Sequence, residues 1–112
     1  MQDEQPKKDV DRLSLSVDSR RVLEELISDE YFKDGVDGIR MAVSFSISKK
    51  IDIKNYTLTD RVPHDMYKIS QIDPEGIFGQ VISEVFPEYR KEKYRSLEKF
   101  ADLGLKLMSK EI

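Results

Sequence analysis

Cysteine and tryptophan are absent from the chain, and histidine occurs once. The lack of cysteine excludes disulfides, thiolate metal sites and a cysteine nucleophile, and it fits a reducing compartment, so a cytoplasmic location is expected. The one histidine, His64, stands in Val62-Pro63-His64-Asp65. Asp65 is suited to orienting an imidazole, but metal and triad sites need several convergent groups, so His64 is expected to be a turn residue. Uninterrupted apolar runs are only a few residues long and residues 1–10 hold no apolar signal core, which speaks against a membrane span and a secretory leader. A phosphate-binding loop is also missing, because Gly35-Val36-Asp37-Gly38 is too short and lacks the lysine. No catalytic residue, metal ligand, cofactor or small-molecule substrate is therefore expected, and the chain is expected to act by binding.

What the chain does hold in quantity is charge. Charged residues (37%) nearly equal hydrophobic ones (38%), a balance lean enough in apolar content to suggest a core completed across a subunit interface, so a homodimer is expected. Acids outnumber bases, 22 to 19, for a net charge of −3. That excess argues against non-specific coating of nucleic acid but leaves room for a local basic surface.

The expected fold class is mainly α: a short N-terminal strand followed by two helices, an irregular connection, and a C-terminal two-helix unit. Residues 1–10 are polar, contain Pro6 and show no periodicity, and read as a disordered leader before a single domain over residues 11–112. Arg12-Leu13-Ser14-Leu15-Ser16-Val17 alternates strictly, placing Leu13, Leu15 and Val17 on one face of a strand and Arg12, Ser14 and Ser16 on the other. Asp18 or Ser19 then caps a helix carrying Val22, Leu23, Leu26, Ile27 and Tyr31 at helical spacing, with Arg20, Arg21, Glu24 and Glu25 opposite. Two glycines and two aspartates in Lys33-Asp34-Gly35-Val36-Asp37-Gly38 make a turn, and a second helix is expected from Val36 to about Lys50. The alternation of Met41 to Ser48 also fits a strand; helix is the expectation.

Residues 51–72 read as a structured connection with at most one short strand. Asp73-Pro74-Glu75 has the chemistry of a helix start, for a helix burying Ile77, Phe78, Val81, Ile82 and Val85 and stopping before Pro87. In the last helix Leu97, Phe100, Ala101, Gly104, Leu107 and Met108 form an apolar stripe in which Gly104 signals close packing. The run Arg90-Lys91-Glu92-Lys93-Tyr94-Arg95 mixes bases with an aromatic, as phosphate-and-base contacts do, yet a charged helix face accounts for it without a ligand.

The order strand, capped helix, Gly/Asp turn, helix across residues 12–50 resembles the ribbon-helix-helix family of DNA-binding domains. That resemblance implies a dimer whose paired strands enter the major groove, with Arg12, Ser14 and Ser16 reading base edges and the N–H groups of Gly35 and Val36 gripping a phosphate. Asp34 and Asp37 depart from that pattern, since carboxylates repel a phosphate. Arg20 and Arg21 stand at a helix start, where the dipole disfavours cations, which fits either contact with a DNA backbone or a tolerated exposed site. The same three strand residues also fit the solvent face of an ordinary edge strand. The strand and helix start, with Leu97-Glu98-Lys99-Phe100-Ala101-Asp102-Leu103-Gly104-Leu105, further resemble small accessory proteins encoded beside bacterial DNA-sulfur-modification and phage-defence genes. Two functions follow as expectations: a non-enzymatic DNA-binding regulator or accessory protein, or a protein-interaction subunit of a larger assembly without DNA contact. The second predicts an exposed apolar patch around Phe86, Tyr89 and Phe100.

Overall fold

Leu13 and Leu15 do point inward together, and in the computed structural model of the chain they are almost fully buried. The structure describes residues 9–111, without the side chains of residues 63–66. Strand β1 (Arg12–Ser16) leads directly into helix α1 (Val17–Ser28), followed by α2 (Gly35–Ser48), strand β2 (Arg61–Lys68), α3 (Ile69–Ile72), α4 (Ile77–Val85), a short 3-10 helix (Pro87–Glu92) and α5 (Lys93–Glu111). The molecule is mainly helical, with the short strand first and a helical unit at the C-terminus.

Several boundaries differ from the sequence reading for identifiable reasons. Val17 does not continue the strand: it opens α1 and is exposed, because Ser16 is the cap, accepting from the N–H of Ser19. Asp73 does cap α4, but from further away. Its carboxylate accepts from the N–H groups of Phe78 and Gly79, and the intervening turn closes through Gly76, whose φ of 72° suits glycine. Asp9, expected in a disordered leader, accepts from the N–H groups of Tyr94 and Arg95 and so caps the first turn of α5. The rest of that expected leader, residues 1–8, lies outside the described residues.

The connection over residues 51–72 contributes a full strand. β2 pairs antiparallel with β1, Arg12 opposite Lys68 and Leu13 opposite Tyr67, and between Ser14 and Ser16 the register jumps from Met66 to Arg61. His64, expected in a turn, falls within the backbone of β2. Its side chain, and with it the pairing with Asp65, is outside the described residues.

Helix α5 is the element around which the rest assembles, packing on α1, α2, α4 and β1. Leu97, Phe100, Ala101, Leu105 and Met108 are its buried apolar face. Opposite them stand Leu13, Leu15, Leu23, Ile39, Ala42, Val43, Ile53 and Ile82, giving one continuous core within a single chain. Leu107, expected in the stripe, is only half-buried; Leu105 takes the inner position. The approach of α2 to α5 depends on small residues. A Cβ on Gly104 would lie 2.5 Å from the carbonyl oxygen of Ala42 and 2.5 Å from Ser46 Oγ. Ser46 Oγ donates to the carbonyl of Phe100 across the same seam. Among the described residues no helix is long and apolar enough to cross a membrane.

Candidate functional site

The strand β1 has two backbone edges, and both are occupied between Ser14 and Ser16. One edge faces β2. On the other, the N–H of Ser14 donates to Glu98 at 2.9 Å and the N–H of Ser16 donates to Asp102 at 2.8 Å. Glu98 and Asp102 stand one turn apart on the same side of α5, so the helix closes the strand edge with two carboxylates spaced like a strand's own alternate N–H groups. Side chains extend the network. Ser14 Oγ accepts from Arg61, whose guanidinium also meets Glu98 at 2.8 Å. Ser16 Oγ and the Tyr56 hydroxyl donate to Asp102, and Lys106 approaches it at 3.7 Å. Ser19 Oγ donates to the main-chain carbonyl of Asp102. Burial and the bond to Asp102 push the Tyr56 hydroxyl well above its ordinary pKa.

This arrangement redistributes the residues singled out in the sequence. Ser14 and Ser16, expected to face outward, are 3% and 4% exposed and spend their hydroxyls inside the fold. The reason is that α5 lies over the face and edge that alternation alone leaves open. Arg20 bonds Glu24 and the hydroxyl of Tyr67, and that hydroxyl also crowds the α-carbon of Gly35, so Arg20 and the start of α2 do come together. The first turn of α2 is already capped: Asp34 accepts from the N–H of Asp37, and Asp37 accepts from the N–H of Lys33. Gly35 and Val36 thus lie beside two carboxylates rather than at an open anion seat. Arg21 is exposed and pairs with Asp18 on α1. Arg12 is exposed at the first position of β1, opposite Lys68 of β2 in the antiparallel pair.

Glu98 and Asp102 are not among the site residues that the sequence pattern singles out. Their signal was their position: each follows directly on an inward residue, Leu97 or Ala101, and an acid pair at i, i+4 beside the apolar stripe of a helix is placed to meet whatever the stripe packs on.

The apolar patch also lies elsewhere than expected. Phe100 is fully buried, and Phe86 and Tyr89 pack on it with ring centroids 5.2 and 6.4 Å away. Among the described residues the large apolar side chains left exposed are Val17, Tyr31, Met41, Ile77 and Val85; of these only Ile77 (56%) and Val85 (44%), which the sequence pattern predicts to be buried, share one helix, with half-buried Val81 between them on α4. At i, i+4 and i+8 these side chains form one stripe, while Gly79 and Ile82 face the core. No protein-family model, curated protein or solved structure matches the chain.

Proposed function

We propose that the protein is a non-enzymatic interaction subunit that lays the outer stripe of α4 into an apolar groove of a larger protein. The observation that carries this reading is the exposure of Ile77 and Val85 on a helix whose opposite face is already packed. A helix presenting aliphatic anchors at i, i+4 and i+8 matches the helix-in-groove mode of recognition. Covering three half-exposed aliphatic side chains is worth on the order of 3 kcal/mol, roughly a hundredfold in affinity. Operator-type DNA binding by a strand-paired dimer draws less support. It needs an open edge on β1 and outward serines, whereas the N–H groups of Ser14 and Ser16 already bond Glu98 and Asp102.

The test is capture of partners from a lysate of the source cells, followed by reconstitution with the recovered protein. The double variant Ile77→Glu, Val85→Glu is expected to bind roughly a hundredfold more weakly, while Arg21→Glu on α1 binds as the parent does. A partner retained equally by the α4 variant overturns the reading.

A further inference from the structure

One end of the β1–β2 strand pair presents an electrostatic arrangement that the α4 reading does not use. Arg12 stands directly opposite Lys68. The N–H of Ile69 donates to the carbonyl of Asp11, so residues 11 and 69 are a hydrogen-bonded pair and the next pair, Arg12 with Lys68, is a non-bonded one. In antiparallel sheets that is the pair whose side chains come closest. Like charges opposite each other at such a position oppose the pairing of the strands. Acids are in excess in this chain, yet among the described residues neither cation has a carboxylate within ion-pair distance. The other arginines of the two strands and α1 differ: Arg20 meets Glu24, Arg21 meets Asp18 and Arg61 meets Glu98.

Arg12 and Lys68 line one open depression of about 330 Å³, together with Asp11, Ser70 and Tyr94. Asp11 does not come within ion-pair distance of either cation. Ser70, an exposed residue, also lines the depression, and its side chain is a neutral donor. An arginine, a lysine and a serine lining one hollow supply the donors that suit a tetrahedral oxyanion, which accepts two parallel bonds from arginine and a point charge from lysine.

We propose that Arg12, Lys68 and Ser70 form a binding site for a phosphate group, the anion relieving the repulsion between the two cations. The site uses no residue of the α4 stripe, so either reading can fail without the other. The same phosphate chemistry is offered by free phosphate and by the backbone of a nucleic acid, and the experiment separates them.

The experiment measures the thermal midpoint and amide chemical shifts of the full chain with inorganic phosphate, and fluorescence anisotropy with a short duplex DNA at low and physiological salt. Arg12→Gln and Lys68→Glu are compared with the parent, each checked for its fold by circular dichroism. Expected are shifts at residues 11, 12, 68 and 70 on binding and a loss of affinity of about tenfold or more in each variant, the size of one charge-assisted contact. Without ligand, Lys68→Glu is expected to melt higher than the parent, since it turns repulsion into attraction. A response to phosphate identifies a free anion as sufficient; a response to DNA alone identifies the polymer backbone as the source. No response to either at low salt overturns the site, as does binding undiminished in both variants. A Lys68→Glu chain that melts lower than the parent overturns the premise that the pair opposes folding.

Discussion

Asp102 shows how much can depend on one side chain that composition would place on the surface. It is fully buried and accepts from the N–H and hydroxyl of Ser16 and from the hydroxyl of Tyr56. Replacing it with alanine leaves those donors without an acceptor and Lys106 without its partner. Asp102→Ala is expected to destabilise by about 3 kcal/mol, read as a lower urea midpoint at unchanged slope. A loss of under about 0.5 kcal/mol, typical of surface substitutions, would show the network to be dispensable. The serine alternation of β1 was visible in the sequence, but its use was not: serine is equally at home in solvent and under a carboxylate, and only the arrival of α5 chooses between them.

At the scale of elements, the seam between α2 and α5 sets the geometry of the core. The apolar periodicity of α5 and the small residues of α2 were legible because both follow from side-chain size and a repeat of 3.6 residues. Gly104 in the apolar stripe signals close packing, and Ala42 and Ser46 are its neighbours. The obstacle to a larger residue there is partly backbone, the carbonyl of Ala42, which cannot rotate away. Gly104→Ala therefore has to push the helices apart, at an expected cost of about 1–3 kcal/mol despite the better helix propensity of alanine. Urea unfolding of the variant checks this, and a gain in stability would mean that the seam opens freely. By contrast β2 is hard to read: Pro63, a residue that speaks against a strand, stands inside it and its register jumps opposite Leu15, so it lacks the clean alternation that marks β1.

Across the whole molecule, segments distant in sequence are joined by tyrosine hydroxyls that must keep their protons. Tyr94 at the start of α5 donates to Asp73 ahead of α4, and burial, with that bond, pushes its pKa up to about 12 from 10.0. Tyr56, shifted in the same direction, ties the segment between α2 and β2 to α5. A group whose pKa is raised by folding stabilises the fold fully below its unfolded value and ceases to do so as pH rises through its folded value. Stability is thus expected to hold up to about pH 10 and to decline towards about pH 12, with a smaller decline in Tyr94→Phe. Urea midpoints across that range, followed alongside tyrosinate absorbance, test it; an identical decline in Tyr94→Phe would remove Tyr94 from the account.

The sequence by itself determined the mainly helical class, the first strand, and most of the residues that fill the core, because periodicity and turn chemistry act locally. It could not determine what covers a face. The lean apolar content suggested a second copy to finish the core, but in the fold α5 supplies that cover from the same chain, with Glu98 and Asp102 taking the N–H groups of β1. It likewise left open which cations find partners. Arg61 meets Glu98 from 37 residues away, while Arg12 is set against Lys68. Those outcomes belong to tertiary structure, since hydrogen bonds and charge pairs depend on distance in space, which neither composition nor spacing along the chain specifies.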